Sequence, residues 1–485
     1  MQKFENAFGK NDIRGIYGED ITEELYYNTA IGFVEWLKKQ SSKKEQDITI
    51  TVVRDARLHS KPLEDALVCG FVSKGVNVIT LGLAPTPIGY YSEAAGVNGK
   101  DITASAIITA SHNPKEYNGL KMTYAKQTLD EEQIKEVKEL TFANWKNYVL
   151  STDLSVQSYN IIPDYINDMY QRFNGAGKGV KVVVDSANAT GGVVAPELYR
   201  KIGCEVIELF SEPDGNFPNH HPNPSVEKTL DTLKETVLKE KADIGIAFDG
   251  DSDRIGIIDN NGKFLTGDKL LYIYAIDLIE NCKQENIVPN IVSEVKCSQV
   301  LYDEINKSGG NAIMCKTGHG YIKSKMKETN ALLAGEMSGH TFFKDRYYGF
   351  DDAVYAGCRI IEIVSKNKKI NSDFQISDTL KPFDNVCSSP EVRYSCPNEL
   401  KKSTLKAVEK AINDNKNIFG TQIKDIITLD GMRIVFNGGF ALIRQSNTEP
   451  VFTLRFEAKT KDECERFKKV MTGMLDEILQ QNLTY

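Results

Sequence analysis

The sequence predicts an α/β fold: three similar α/β domains with mixed, mostly parallel sheets, then a C-terminal α+β domain, around a central cleft. Three observations predict it. Continuous apolar runs alternate with helical periods, the pattern of sheets buried under helices. The alternation occurs three times, and each time it ends in the same way. The last part of the chain changes to hairpin-like strands and one long amphipathic helix.

The first unit holds "DITITVV" (47–53), an amphipathic run near 61–73, "VNVITL" (77–82) and "ASAIITA" (104–110). The second holds "VKVVVDSAN" (180–188), a helical run from 192, "CEVIELF" (204–210), a helix near 226–238 and "ADIGIAF" (242–248). The third holds "NIVSEVK" (290–296), a helix from about 298, "NAIMCK" (311–316), a helix near 319–328 and "ALLAGEM" (331–337). Each unit's last strand runs straight into a polar loop: "SHNP", "DGDSDR" and "SGH". Ligands of open α/β sheets collect beyond the carboxyl ends of strands, so the three loops are expected to share one cleft. The fourth part contains "GMRIVFNGGFALIRQ" (431–445), "PVFTLRFEA" (450–458) and a helical stretch at 461–481. The expected domains are 1–152, 153–258, 259–374 and 375–485.

Composition narrows the function. The chain has 485 residues, 41% hydrophobic and 26% charged, with a net charge of -8. An acidic chain of this kind lacks the basic face of a general nucleic-acid binder. No run approaches the roughly 20 apolar residues of a membrane span. The opening "MQKFENAFGK" has no signal-peptide core, and the nine cysteines are scattered without a CxxC pair. Reduced thiols in a cytoplasmic protein are therefore expected.

The sharpest local signal is "FDGDSDR" (248–254). Asp249, Asp251 and Asp253 set three carboxylates on alternate residues, and carboxylates this close repel unless a cation joins them. Hard oxygen ligands suit Mg²⁺ or Ca²⁺. An EF-hand is excluded: its sixth position, where glycine is needed, is Arg254, and its twelfth, where glutamate is needed, is Asn260. The rival reading is a solvated acidic turn.

An Mg²⁺ site with few protein ligands suggests a phosphate ligand. "RQSNTEP" (444–450) offers a cradle in Arg444, Ser446, Asn447 and Thr448. Its rival is a polar hairpin turn. "GEMSGH" (335–340) supplies Glu336, Ser338 and His340, a set suited to sugar hydroxyls, and "KTGH" (316–319) adds Lys316 and His319.

Ser111, in "ITASHNPKEYNGLK", has three readings. It is a helix cap, a hydrolase nucleophile, or a carrier of a phosphoryl group beside a metal. The surroundings are not G-x-S-x-G, and His112 as immediate neighbour is badly placed as a base. The aspartate loop favours the carrier.

"TASHNP", "DGDSDR", "GEMSGH" and "SNTEP", in this order, resemble the α-D-phosphohexomutase family. "NDIRG" (11–15), "VRDARLHS" (53–60), "DGNFPNHHPNP" (214–224) and "KTGH" match too, so the resemblance spans essentially the whole chain. "GEMSGHTFFKDRYYGFDDA" is most similar to the bacterial bifunctional phosphomannomutase/phosphoglucomutase branch. The resemblance implies an enzyme that interconverts hexose 1-phosphate and 6-phosphate, of mannose and/or glucose. It implies a phosphorylated Ser111, one Mg²⁺ per site on Ser111, Asp249, Asp251 and Asp253, and a hexose 1,6-bisphosphate intermediate or activator. Arg14, Lys121, Arg254 and His319 would line the reacting end, with Lys121 and His319 as acid/base candidates. His112 and Asn118 would orient the phosphoserine loop. Lys316, Glu336, Ser338 and His340 would bind the sugar. Arg444, Ser446, Asn447 and Thr448 would bind the other phosphate. The partners implied are small hexose phosphates, with no nucleic acid or membrane, for a monomer or weak homodimer. Asn11 departs from the tyrosine common in the bifunctional enzymes, and Val53 and Ala56 stand where glycines are common. Phosphoglucosamine as substrate, a non-catalytic sugar-phosphate sensor, and a haloacid-dehalogenase-type phosphatase with Asp249 as nucleophile are the alternatives. The last wants threonine or valine where Asp253 stands.

Overall fold

The strand Ala104–Ile108 is buried at every position, as a strand covered on both faces must be. It centres the first sheet, ordered Ile13–Ile16, Tyr117–Tyr124, Ala104–Ile108, Thr49–Arg54, Asn77–Leu83, Gln157–Ser158. From Ala104–Ile108 to Gln157–Ser158 the strands are parallel. Tyr117–Tyr124 and Ile13–Ile16 are antiparallel. The sheet is mixed, as expected, but its antiparallel strand starts inside the stretch that reads as a polar loop after Ser111. Helices Glu23–Ser41, Ser60–Ser73 and Glu131–Ala143 cover one face through Phe33, Trp36, Leu67 and Val137. A capping box on Asp130 starts the last of these. The structure, a computed structural model, describes residues 2–149, 156–446 and 449–483.

The second sheet is ordered Phe264–Leu265, Ile255–Asp259, Ile244–Phe248, Lys181–Asp185, Glu205–Leu209. Its last three strands are parallel and the first two antiparallel. "DNNG", next to the border expected at 258, forms a hairpin turn. Gly262 holds φ +76, a conformation that glycine adopts without a Cβ penalty. Its N–H donates to the Asp259 carbonyl at 3.0 Å.

The chain divides into two compact units, Met1–Thr266 with Ser338–Ile376, and Gly267–Met337 with Ser377–Tyr485. The second contains the parallel strands Asn311–Cys315, Asn290–Glu294 and Leu333–Gly335. It also contains an antiparallel sheet with Cys387–Ser388, Val451–Ala458, Gly439–Gln445, Met432–Phe436 and Asp425–Ile427 in order. The long helix Lys461–Leu483 packs on Val451–Ala458. These are the three α/β layers and the α+β ending that the sequence predicts. None of the nine cysteines forms a disulfide, and all but Cys387 are buried. Among the described residues, no helix is long and apolar enough to cross a membrane.

One buried carboxyl makes stability depend on pH. Glu93, on the helix Thr86–Ala95, accepts from Thr123 Oγ1 and, at 2.9 Å, from Lys126 N. Burial pushes its pKa up from the ordinary 4.5 to about 7, against the pull of these bonds. Between those values the folded chain holds a proton that the unfolded chain has released. Stability is therefore lost as pH rises from about 4.5 through 7, up to about 3 kcal/mol at 1.36 kcal/mol per unit. Glu93→Gln should remove this loss. Thermal unfolding at pH 5 and pH 8 should show the variant gaining on the wild type at the higher pH, and an equal difference at both would refute it.

Candidate active site

The first unit assembles the site around Ser111. Leaving Ala104–Ile108, the chain turns so sharply that Ser111 adopts φ +49, a conformation that costs a β-carbon residue of order 1 kcal/mol or more. Arg57 holds it there. Its guanidinium, with no side-chain exposure, donates to the carbonyls of Ser111 (2.9 Å), Asn113 (2.7 Å), Pro114 (2.6 Å) and Tyr117 (3.1 Å). Asp55 takes Arg57 Nε at 3.0 Å and the Ser60 hydroxyl at 2.6 Å. Asn118 donates to His59 Nδ1 at 2.7 Å and to Ser60 Oγ at 3.0 Å. It thus supports the loop from beneath and makes no hydrogen bond to Ser111. Arg14 reaches the loop from the neighbouring strand, with Nη1 2.8 Å from Asn113 Oδ1 and 3.2 Å from the Ala110 carbonyl.

The aspartate loop lies directly on this serine. Ser111 Oγ donates to Asp249 Oδ2 at 2.6 Å and lies 3.2 Å from His112 Nδ1. A Cβ placed on Gly250 would come 2.4 Å from the Ser111 carbonyl oxygen. Only glycine permits that approach. Lys121, from the antiparallel strand, places Nζ 2.8 Å from Asp251 Oδ2 and 2.6 Å from Asp253 Oδ2. Ser252, in the middle of the loop, is buried at φ +58, with its Oγ 3.1 Å from Thr190 Oγ1.

His340 joins from beyond the strand ending at Gly335. It bridges Arg254 through the backbone, and its Nε2 lies 3.3 Å from both Arg254 Nε and Asp253 Oδ1. Ser338 Oγ is 3.0 Å from His340 Nδ1. Ser338 and His340, expected to bind sugar, are thus also braces of the aspartate loop.

The electrostatics match a cation site. Burial, then Asp253 and Asp251, push Asp249 well above the usual carboxylate range. Burial opposes ionisation of Asp253 as well, but Lys121, His340 and Arg254 outweigh it and hold this carboxyl well below that range. Burial also works against the Lys121 charge, and Asp251 and Asp253 outweigh it, so the ammonium is held well above the usual lysine range. Arg254, then burial and Arg14, keep the His112 imidazole neutral. One oxygen from each of Asp249, Asp251 and Asp253 lies within 4.8 Å of the others. Asp251 Oδ1 is buried without a hydrogen-bond partner. A buried carboxylate oxygen in that state is costly unless something positive meets it. These residues therefore fit a divalent cation with hard oxygen ligands.

The second unit carries the other group. Asp430 accepts from Thr317 N at 3.0 Å and from Arg444 Nε at 3.1 Å, tying the "KTGH" loop to the arginine. Glu336 Oε1 accepts from Gly318 N at 2.8 Å. His319 begins the helix His319–Thr329, and Lys316 is exposed, its Nζ 5.7 Å from the centre of the Tyr321 ring. Buried Lys401 donates to the Ser446 carbonyl at 2.9 Å and also to that of Glu449. Asn447 and Thr448 lie outside the described residues. Arg57, Asp55, Ser60, Asp430 and Lys401 escaped sequence reasoning. The only trace of the first three was the quoted run "VRDARLHS".

Comparison with known proteins agrees along the whole chain. Models described as phosphoglucomutase/phosphomannomutase alpha/beta/alpha domains I, II and III match residues 5–147, 163–262 and 266–379. The model of the C-terminal domain matches 391–473. The phosphomannomutase/phosphoglucomutase of Pseudomonas aeruginosa is 39% identical over 472 residues, covering 97% of this chain and 95% of that protein. A phosphoglucomutase of Neisseria meningitidis serogroup A is 35% identical over 478 residues, covering 97% of each. A crystal structure of a phosphoglucomutase/phosphomannomutase family protein from Burkholderia thailandensis superposes with a TM-score of 0.84 at 33% identity, covering 97% of each chain.

Proposed function

The chain belongs to the phosphoglucomutase/phosphomannomutase family and is a phosphohexomutase, and from that premise we propose that it carries the transferred phosphoryl group on Ser111. The carrying observation is the Ser111 hydroxyl, buried and 2.6 Å from Asp249 in a site that fits a divalent cation. Ser111 gives its phosphoryl group to the free hydroxyl of a mannose or glucose phosphate, forming a hexose 1,6-bisphosphate. The intermediate turns over, and its other phosphate returns to Ser111. The 1-phosphate and 6-phosphate are thereby exchanged, and the bisphosphate also serves as activator.

In-line transfer asks a protein mainly for positioning and charge neutralisation. Mg²⁺, held by Asp249, Asp251, Asp253 and an oxygen of phosphorylated Ser111, would supply positive charge at the transferring group. Arg14 and Arg254 add guanidinium charge at this reacting end. Lys121, 2.8 Å from Asp251 and 2.6 Å from Asp253, is assigned the proton donor to the leaving serine oxygen. His319 is assigned the base that takes the proton of the attacking sugar hydroxyl. His112 and Asn118 keep the loop in register. Glu336, Ser338, His340 and Lys316 are assigned to the sugar, and Arg444, Ser446, Asn447 and Thr448 to the phosphate that is not reacting. A cradle of short donors and one planar fork tolerates either phosphate in turn. The protein acts as a monomer or weak homodimer.

The test is direct. Incubation with glucose 1,6-bisphosphate should add the mass of one phosphoryl group, and mannose 1-phosphate should remove it with release of the bisphosphate. An intact mass that never changes, in protein that turns over hexose phosphate, would reject the phosphoserine.

A further inference from the structure

We propose that Thr86 is a positioning residue for the metal: it sets the orientation of Asp251 and so leaves Asp251 Oδ1 available as a ligand. This rests on the reading of Asp249, Asp251 and Asp253 as a metal site. Thr86 is fully buried and opens the helix Thr86–Ala95 in "APTPIGY". Its hydroxyl donates to Asp251 Oδ2 at 2.6 Å, and its backbone N–H donates to the Asp251 carbonyl at 2.8 Å. A single residue from the first sheet's layer thus grips both the side chain and the backbone of a residue in the second sheet's loop.

Asp251 Oδ2 receives Thr86 Oγ1 and Lys121 Nζ, while Oδ1, equally buried, receives no hydrogen bond. A carboxylate free to rotate about χ2 would share its two donors between both oxygens. The hydroxyl of Thr86 removes that freedom, because its donation is spent on Oδ2. The N-terminal end of a helix facing the carboxylate adds a small electrostatic preference for the charged form. Partners of metal-ligating carboxylates typically matter roughly 10- to 100-fold in metal affinity.

Mn²⁺ binding to the full chain, followed by electron paramagnetic resonance, tests this without turnover. Thr86→Val keeps the shape and the backbone bond but loses the hydroxyl, and Lys121 still pairs with Asp251. It should weaken Mn²⁺ binding roughly 10- to 100-fold, and Thr86→Ser should restore it to near the wild-type level. Unchanged or tighter binding by Thr86→Val would overturn the proposal. So would a serine variant as weak as the valine one, since packing rather than the hydroxyl would then be responsible. Wild-type protein that binds no Mn²⁺ would overturn the metal reading itself, and the proposal with it.

Discussion

Ser111→Ala should lower conversion of glucose 1-phosphate to glucose 6-phosphate by at least about a thousandfold, the scale expected when a covalent nucleophile is removed. Alanine is a fair substitute here. It keeps the β-carbon, so the left-handed backbone at φ +49 carries about the same strain. The clamp from Arg57 to the main-chain carbonyls is also untouched. What is lost is one oxygen, with its bond to Asp249 and its contact with His112 Nδ1. The measurement is a coupled assay with the bisphosphate present, so that wild-type protein starts fully charged. Turnover near the wild-type rate would show that the phosphoryl group travels elsewhere.

Arg57→Ala should be nearly as damaging, through position rather than chemistry. The guanidinium gathers four carbonyls of the segment from Ser111 to Tyr117 and pairs with buried Asp55. Its removal leaves acceptors without donors and a carboxylate without a counter-charge. Breaking such a buried pair typically costs about 3–5 kcal/mol. Both the melting temperature and kcat should fall. Arg57→Lys keeps the charge but cannot reproduce the planar fork, so it should recover part of the stability and little of kcat. A variant that melts lower but keeps kcat would confine Arg57 to the fold.

Much of this was legible in the sequence, for particular reasons. Ala104–Ile108 and Ile244–Phe248 are buried at every position, so their residues are small or apolar, Ser105 alone being polar, and they announce themselves. Tyr117–Tyr124 did not. It carries Asn118 and Lys121 on a buried strand, and buried polar residues with partners elsewhere look like a loop. That Ser111 and the aspartates come together was readable because each stands in a short motif at a strand end. Their supports were not. Arg57, Thr86 and Lys401 act through partners far away in the chain, and spacing in one sequence carries no record of such pairs.

The contact between Gly250 and the Ser111 carbonyl also bears on inheritance. A side chain at 250 has nowhere to go unless the main chain at 111 moves first. Two loops encoded far apart in the gene therefore constrain one another's mutations. Any residue but glycine at 250 depends on a prior shift of the main chain at 111.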